Sequence, residues 1–321
     1  MMRFPQLDGF RGAPGVVRII GHRGARGVMP ENTIEGFEFT LKIGVRALEF
    51  DVVLTRDLVP VITHNHHLLN ATTRDDDGCW LTGEELKVSN LTLSQLKKLD
   101  VGGADGNTVY GKRFPDQVFM SGVRIPALDE LFELATRPEG QDLLFLLEMK
   151  SDPLVAGDKN ASSAIVAKVV SEVRSRGLED RTILHSFDWN LLGECALIAP
   201  DMPRSYLSQL PDNSDALGED SSKAVAPDFA ALGVSIPNAV SDAGGKLWCP
   251  YYMDVTPDLV SEAHDLGLIV CTWTANEVED INHMIDAGVD GIITDYPGRA
   301  QRILLARDLT WQTDPHHQAA E

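Results

Sequence analysis

Short runs of aliphatic and β-branched residues alternate with longer amphipathic runs along most of the chain. The apolar runs predict strands at Val17–Gly21, Ala47–Leu54, Leu143–Lys150, Thr182–His185, Arg204–Leu207, Leu247–Tyr251, Leu268–Thr274 and Gly291–Thr294. Pro60–His64 extends the second of these or pairs beside it. The amphipathic runs predict helices at Thr33–Ile43, Ala161–Arg176, Asn190–Ala199, Pro257–Leu266, Val278–Ala287 and Gly298–Leu305. Asn32 and Glu35 occupy N-cap and N3 positions for the first helix, and Gly177 and Gly267 stop two others.

Strand–helix alternation from end to end implies a parallel sheet with right-handed crossovers. A count of about eight strands favours closure into a (β/α)₈ TIM barrel. An open doubly wound sheet would carry a G-x-G-x-x-G turn, and Gly21-His22-Arg23-Gly24 is not one. Two segments break the rhythm. Asn65–Arg124 is polar and Gly-rich, with one helix expected at Leu93–Leu99, and reads as a small subdomain inserted after the second strand. Ser208–Gly245 offers only a short helix near Phe229–Leu232. The 321 residues are therefore expected to form a single barrel domain with an insertion at about 65–124.

Hydrophobic content of 43% and charged content of 24% suit a globular protein that needs no staples. The net charge of −20 argues against nucleic acid and anionic membrane surfaces as partners. No apolar stretch approaches the ~20 residues of a membrane span. Met1–Val17 lacks the apolar core of a signal peptide, so a cytoplasmic location is expected. Cys79, Cys195, Cys249 and Cys271 show no metal-type spacing; Cys249 and Cys271 sit in apolar runs and read as buried thiols.

In a barrel the chemistry collects at the carboxyl ends of the strands. Glu49 and Asp51 flank Phe50 in an otherwise apolar strand and so point to one face. If Phe50 faces the helices, both carboxylates enter the barrel, where a hard cation would relieve their repulsion. The alternative is a salt bridge to Arg46 or another base. Glu148 and Lys150 repeat the spacing, either as an ordinary ion pair or as a further ligand with a cationic neighbour. Arg23 offers a planar fork for a phosphate, and His22 and His64 can move protons. A divalent ion with Arg23 and Lys150 would turn a net negative site into a net positive one, fit for a phosphodiester. His66 and His67 read as solvated. Trp273 either packs on a small polyol or fills the top of the core, and Asp295 reads as a cap on the last helix.

The ordered motifs Gly21-His22-Arg23-Gly24, Pro30-Glu31-Asn32-Thr33, Glu49-Phe50-Asp51-Val52, Val61-Ile62-Thr63-His64, Ile125-Pro126-Ala127-Leu128, Glu148-Met149-Lys150, Trp273-Thr274-Ala275-Asn276 and Gly288–Pro297 resemble those of the glycerophosphodiester phosphodiesterases. The resemblance implies a TIM barrel that hydrolyses small soluble glycerophosphodiesters to sn-glycerol 3-phosphate and an alcohol. It implies one divalent ion, Mg²⁺ or Ca²⁺ with Mn²⁺ as a further option, on Glu49, Asp51 and Glu148. His22 and His64 would be the acid/base pair, Arg23 and Lys150 would hold the phosphate, Trp273 would contact the glycerol, and Glu31 would brace the site. The family has His-Asp where this chain has His64-Asn65; Asn65 can accept a hydrogen bond but carries no charge.

Two other readings fit parts of the pattern. His64-x-His66 with His185 and Asp295 resembles the zinc set of an amidohydrolase-type barrel, but leaves Glu49, Asp51 and Arg23 without a role. A non-catalytic barrel that binds a phosphorylated ligand would need the cations but not the two histidines.

Overall fold

A computed structural model of the chain describes residues 4–155, 158–210 and 225–312. Among the described residues nine strands form one sheet: β1 (Arg18–His22), β2 (Ala47–Leu54), β3 (Pro60–Ile62), β4 (Leu144–Met149), β5 (Thr182–Ser186), β6 (Arg204–Ser208), β7 (Leu247–Pro250), β8 (Ile269–Thr272) and β9 (Gly291–Thr294). β1 pairs in parallel with both β2 and β9, so every strand except β3 joins a closed parallel barrel. β3 instead runs antiparallel beside the end of β2, with Val52 opposite Ile62 and Leu54 opposite Pro60.

The crossover helices are α1 (Ile34–Lys42), then, past the insertion helices α2 (Leu93–Leu96) and α3 (Val109–Arg113), α4 (Leu128–Thr136), α5 (Lys159–Ser175), α6 (Trp189–Ile198), α7 (Ile236–Asp242), α8 (Pro257–Asp265), α9 (Val278–Ala287) and α10 (Pro297–Ala306). This is the TIM barrel expected from the strand–helix rhythm. α3, α4 and α7 are not among the helices expected from the sequence. α4 has a clear apolar stripe, Leu128, Leu131, Phe132 and Ala135, at helical spacing. α7 is only two turns long and too short to announce itself by period. Residues 211–224 lie outside the described residues; the short helix expected near Phe229–Leu232 is present as a 3-10 turn at Phe229–Ala231.

Alternation along the strands divides the core in two. Phe50, Phe145, Trp248 and Ile292 face the helices, where Phe50 makes edge contacts to Phe37 of α1 at 5.9 Å and to Phe145 at 6.0 Å between centroids. Ile20, Leu146, Ile183, Leu247, Cys249, Cys271 and Ile293 fill the barrel interior. Phe10, fully buried, closes the amino-terminal end of that interior after the 3-10 turn Pro5–Gly9. Because Phe50 is committed to the outer layer, Glu49 and Asp51 are turned inward.

The insertion packs a small core of its own, with Leu68, Val88, Leu96 and Ile125 against Val53 and Val61. Arg74 pins it from within: its Nη2 donates to Asp100 at 2.9 Å and to the Met120 carbonyl at 2.6 Å, under the Phe119 ring. No helix of the described residues is long and apolar enough to cross a membrane.

The cap of α1 differs from expectation. Thr33, not Asn32, is the N-cap, its Oγ1 accepting from Gly36 N at 3.1 Å. Asn32 stands one residue earlier with φ of 55°, a left-handed conformation that Asn tolerates better than most residues. That turn frees its side chain for the site below.

Candidate active site

The carboxyl ends of the eight parallel strands, together with the turn after β3, surround a cavity of about 250 Å³. His22, Arg23, Glu49, His64, Glu148 and Lys150 line one side. Phe187, Tyr251, Tyr252 and Trp273 line the other, and Arg113 reaches it from α3. All the site residues expected from the sequence are therefore gathered here except Glu31, which lies behind Arg23, and Asp51, which is buried beside Lys150.

The acidic centre is Glu49, Asp51 and Glu148, each offering an oxygen within 4.8 Å of the others, and all three are buried. Parallel pairing of β2 with β4 sets Asp51 opposite Glu148, so the sheet register itself brings the two strands' carboxylates together. At about 4.8 Å and an effective dielectric of about 20, each pair of charges repels by roughly 3.5 kcal/mol. Burial, with Asp51 and Glu148 nearby, pushes the Glu49 carboxyl well above its usual range. Burial also opposes ionisation of Asp51, but Lys150, His64 and Arg23 outweigh it and hold that carboxyl far below normal. Lys150 Nζ lies 3.0 Å from Asp51 and 2.7 Å from Glu148. Asn32 Nδ2 donates to Asp51 at 2.9 Å. Arg46, the alternative partner weighed for Glu49 and Asp51, donates instead to the Leu41 carbonyl at 2.7 Å.

Glu49 Oε1 is buried and, among the described residues, has no hydrogen-bond partner, an expensive arrangement for a carboxylate oxygen. An unsatisfied oxygen inside a cluster of hard oxygen donors is the arrangement a divalent cation of the Mg²⁺, Ca²⁺ or Mn²⁺ type fits. Among the described residues no His or Cys joins a group able to hold a metal, so the His64-x-His66 pair forms no zinc set. His66 is half-buried rather than solvated, and neither it nor the exposed His67 lines the cavity.

Arg23 follows β1 in a left-handed conformation, φ 49°, which costs a non-glycine residue about 1–2 kcal/mol. Its backbone N–H donates to Glu49 Oε2 at 3.1 Å, holding the turn in place. Its guanidinium donates to Glu31 at 3.1 Å and lies 3.3 Å from Asp51.

His22 Nδ1 lies 2.7 Å from Asp295 Oδ1. Asp295 also receives Arg26 through Nε at 2.8 Å and Nη2 at 3.0 Å, and Asn276 through Nδ2 at 2.7 Å. Burial raises the cost of charging Asp295, yet Arg26 and His22 prevail and keep it ionised well below the normal range. Burial lowers the His22 pKa to about 4, against the pull of Asp295. A neutral ring beside an ionised carboxylate must donate from Nδ1, which leaves Nε2, 3.7 Å from Glu49, with a free lone pair. The reading of Asp295 as a helix cap fails: α10 has Tyr296 at its N-cap and no side-chain cap. His64 is held in the same way, with Nδ1 2.8 Å from Asn65 Oδ1.

His185, unassigned from the sequence in the main reading, faces the cavity from β5 with Nδ1 2.8 Å from Ser205 Oγ. Burial, then Lys150, lowers its pKa to about 3. Trp273 forms an aromatic wall with Phe187 and Tyr251, at centroid distances of 5.3 and 5.2 Å, and its Nε1 donates to the Cys249 carbonyl at 2.9 Å. Trp273 thus lines the cavity with its polar ring nitrogen satisfied by a backbone carbonyl. Cys195, Cys249 and Cys271 are buried and Cys79 is exposed; all four are free thiols.

The sequence profile of the glycerophosphoryl diester phosphodiesterase family matches residues 22–299. A glycerophosphodiester phosphodiesterase from Caldanaerobacter subterraneus subsp. tengcongensis is 30% identical over 279 residues, covering 87% of this chain and 94% of its own. A crystal structure from Silicibacter pomeroyi DSS-3, assigned to the glycerophosphoryl diester phosphodiesterases, superimposes with a TM-score of 0.90 at 58% identity, covering 97% of this chain and 100% of its own. The fold is shared with an Oleispira antarctica phosphodiesterase solved with its product sn-glycerol-3-phosphate, at a TM-score of 0.67 and 21% identity over 90% of this chain and 97% of that one.

Proposed function

The chain belongs to the glycerophosphoryl diester phosphodiesterase family, and we propose that it hydrolyses small glycerophosphodiesters to sn-glycerol 3-phosphate and an alcohol, with a divalent ion on Glu49, Asp51 and Glu148. The observation that carries this reading is the convergence of those carboxylates on one point, beside two cationic side chains and two histidines in one cavity. The Oleispira relative, crystallised with sn-glycerol-3-phosphate, supports the product assignment.

When bound, the ion would supply Lewis-acid polarisation of a phosphoryl oxygen and offset the crowded carboxylates. The remaining steps fall to the chain's own side chains. Arg23 and Lys150 hold the non-bridging oxygens, Arg23 as a planar fork and Lys150 as a point charge. Trp273 packs on the glycerol carbons. His22, neutral at physiological pH, accepts at Nε2 the proton of the attacking hydroxyl, while Asp295 holds the ring and stabilises the imidazolium that forms. His64, oriented by Asn65, delivers a proton to the departing alkoxide. The attacking hydroxyl belongs to the glycerol next to the phosphoester, giving a cyclic phosphate that water opens, or to water directly.

A coupled assay for glycerol 3-phosphate released from several glycerophosphodiesters tests the reading. It is run on protein stripped by a chelator and then re-supplied with Mg²⁺, Ca²⁺, Mn²⁺ or Zn²⁺. Turnover restored by a hard cation supports it. Phosphate binding without turnover on any diester would favour a non-catalytic binding barrel, and turnover restored by Zn²⁺ alone would contradict the hard-cation site.

A further inference from the structure

The insertion reaches the phosphate-holding arginine through a buried chain of contacts. Tyr110 of α3 is buried, and its hydroxyl donates to Glu31 Oε2. Glu31, in the loop between β1 and α1, accepts from Arg23 Nη1 at 3.1 and 3.3 Å and lies 3.9 Å from Arg26 Nη1. The same part of the insertion grips that loop at a second point: the Phe114 ring lies 4.6 Å from the Arg26 guanidinium, and Gln117 Nε2 donates to the Arg26 carbonyl at 2.8 Å.

Two arginines compete for Glu31. Arg26 already has a two-point contact with Asp295, so Glu31 is needed chiefly by Arg23. A carboxylate on a flexible stem between two cations has more than one rotamer of similar energy. A third donor from a rigid neighbour selects one of them. Tyr110 is rigid: its ring packs against Phe114 at 5.4 Å and has only two side-chain torsions. The ring alone would fill the space, so the hydroxyl, which must find a partner when buried, is the informative part.

We infer that Tyr110 is a positioning residue for phosphodiester binding: its hydroxyl fixes Glu31, and Glu31 aims the Arg23 guanidinium at the cavity. The role rests on the proposed function, in which Arg23 holds the phosphate. It makes the insertion a working part of the site.

Tyr110→Phe keeps the ring and removes only the hydroxyl. The metal-supplied variant and wild type are compared by calorimetric dissociation constants for inorganic phosphate and sn-glycerol 3-phosphate, by KM and kcat on a glycerophosphodiester, and by Tm. The dissociation constants and KM are expected to rise roughly three- to tenfold, since a hydrogen bond to a charged group is lost and part of its effect is transmitted. The kcat should stay within about twofold, because the lost contact serves binding alike in ground and transition states. Glu31→Gln should weaken phosphate binding similarly or more, and the double variant should be no weaker than Glu31→Gln alone. Unchanged dissociation constants in Tyr110→Phe, whatever its Tm, would overturn the inference, as would losses that simply add in the double variant. If wild type binds phosphate but releases no glycerol 3-phosphate from any diester, the proposed activity fails, and the inorganic phosphate measurements still decide the role of Tyr110.

Discussion

His22 and Asp295 stand 273 positions apart in sequence, yet Nδ1 of one lies 2.7 Å from Oδ1 of the other. Closure of the barrel between β1 and β9 makes this contact possible. The same carboxylate takes Arg26 and Asn276, so one buried group fixes the tautomer of a histidine and the position of the loop behind it. Asp295→Asn is expected to reduce kcat by roughly 10²–10⁴-fold, because the amide can hold the ring in the wrong tautomer. It should also lower stability by about 3–5 kcal/mol, because Arg26 loses its two-point charge partner and keeps only Glu31, 3.9 Å away. Kinetics on the folded fraction, with urea unfolding in parallel, separate the two effects; an Asn variant with wild-type kcat would remove Asp295 from the scheme.

Removing the ring altogether isolates the proton transfer. His22→Ala should lower kcat by roughly 10²–10⁴-fold with little change in circular dichroism. A near-normal rate would show that His22 is not the base.

The buried His185 carries a pH signature in stability. Its folded pKa of about 3 lies below the unfolded value of about 6.5, so the unfolded chain takes up a proton that the folded chain refuses. The neutral ring's contribution is therefore complete above about pH 6.5 and is lost as pH falls toward 3. On metal-stripped protein, wild type should lose about 2 kcal/mol more than His185→Gln between pH 7 and 5, measured by urea unfolding. Parallel losses in the two proteins would show that His185 titrates normally.

Trp273→Ala should raise KM for a glycerophosphodiester about tenfold or more, by removing an aromatic face worth about 1.5–3 kcal/mol. Affinity for inorganic phosphate, which has no carbon skeleton to pack on that face, should barely change. Equal losses for both ligands would assign Trp273 to the core instead.

Much of this arrangement was legible in the chain, and the exceptions share a cause. The alternation around Phe50 is a local property, so Glu49 and Asp51 could be turned inward from sequence alone, and the register of β2 with β4 then brought Glu148 to them. Asp295 looks like a helix cap in sequence, as a carboxylate shortly before Pro297, and only the pairing of β9 with β1 brings it to His22. Asn32 likewise suits a cap in sequence, but its left-handed φ sends the side chain to Asp51 and leaves the cap to Thr33. Tyr110 sits in a polar insertion with no periodic pattern, and only packing against the β1–α1 loop reveals its partner. His185 gave a signal, a histidine at the end of an apolar strand, but nothing local distinguished a buried structural ring from a reactive one. Asn65 shows the opposite case: the amide oxygen it was expected to offer does reach His64 Nδ1, at 2.8 Å.

In the proposed function Glu49, Asp51 and Glu148 hold one catalytic divalent ion. Calorimetric titration of Mg²⁺, Ca²⁺ or Mn²⁺ into chelator-stripped protein, followed at each point by glycerol 3-phosphate release, tests it most directly. One ion should bind per chain, activity should return in proportion to occupancy, and Glu49→Gln should weaken binding by roughly tenfold or more. Full turnover in the stripped protein, or binding unaffected by Glu49→Gln, would contradict the account.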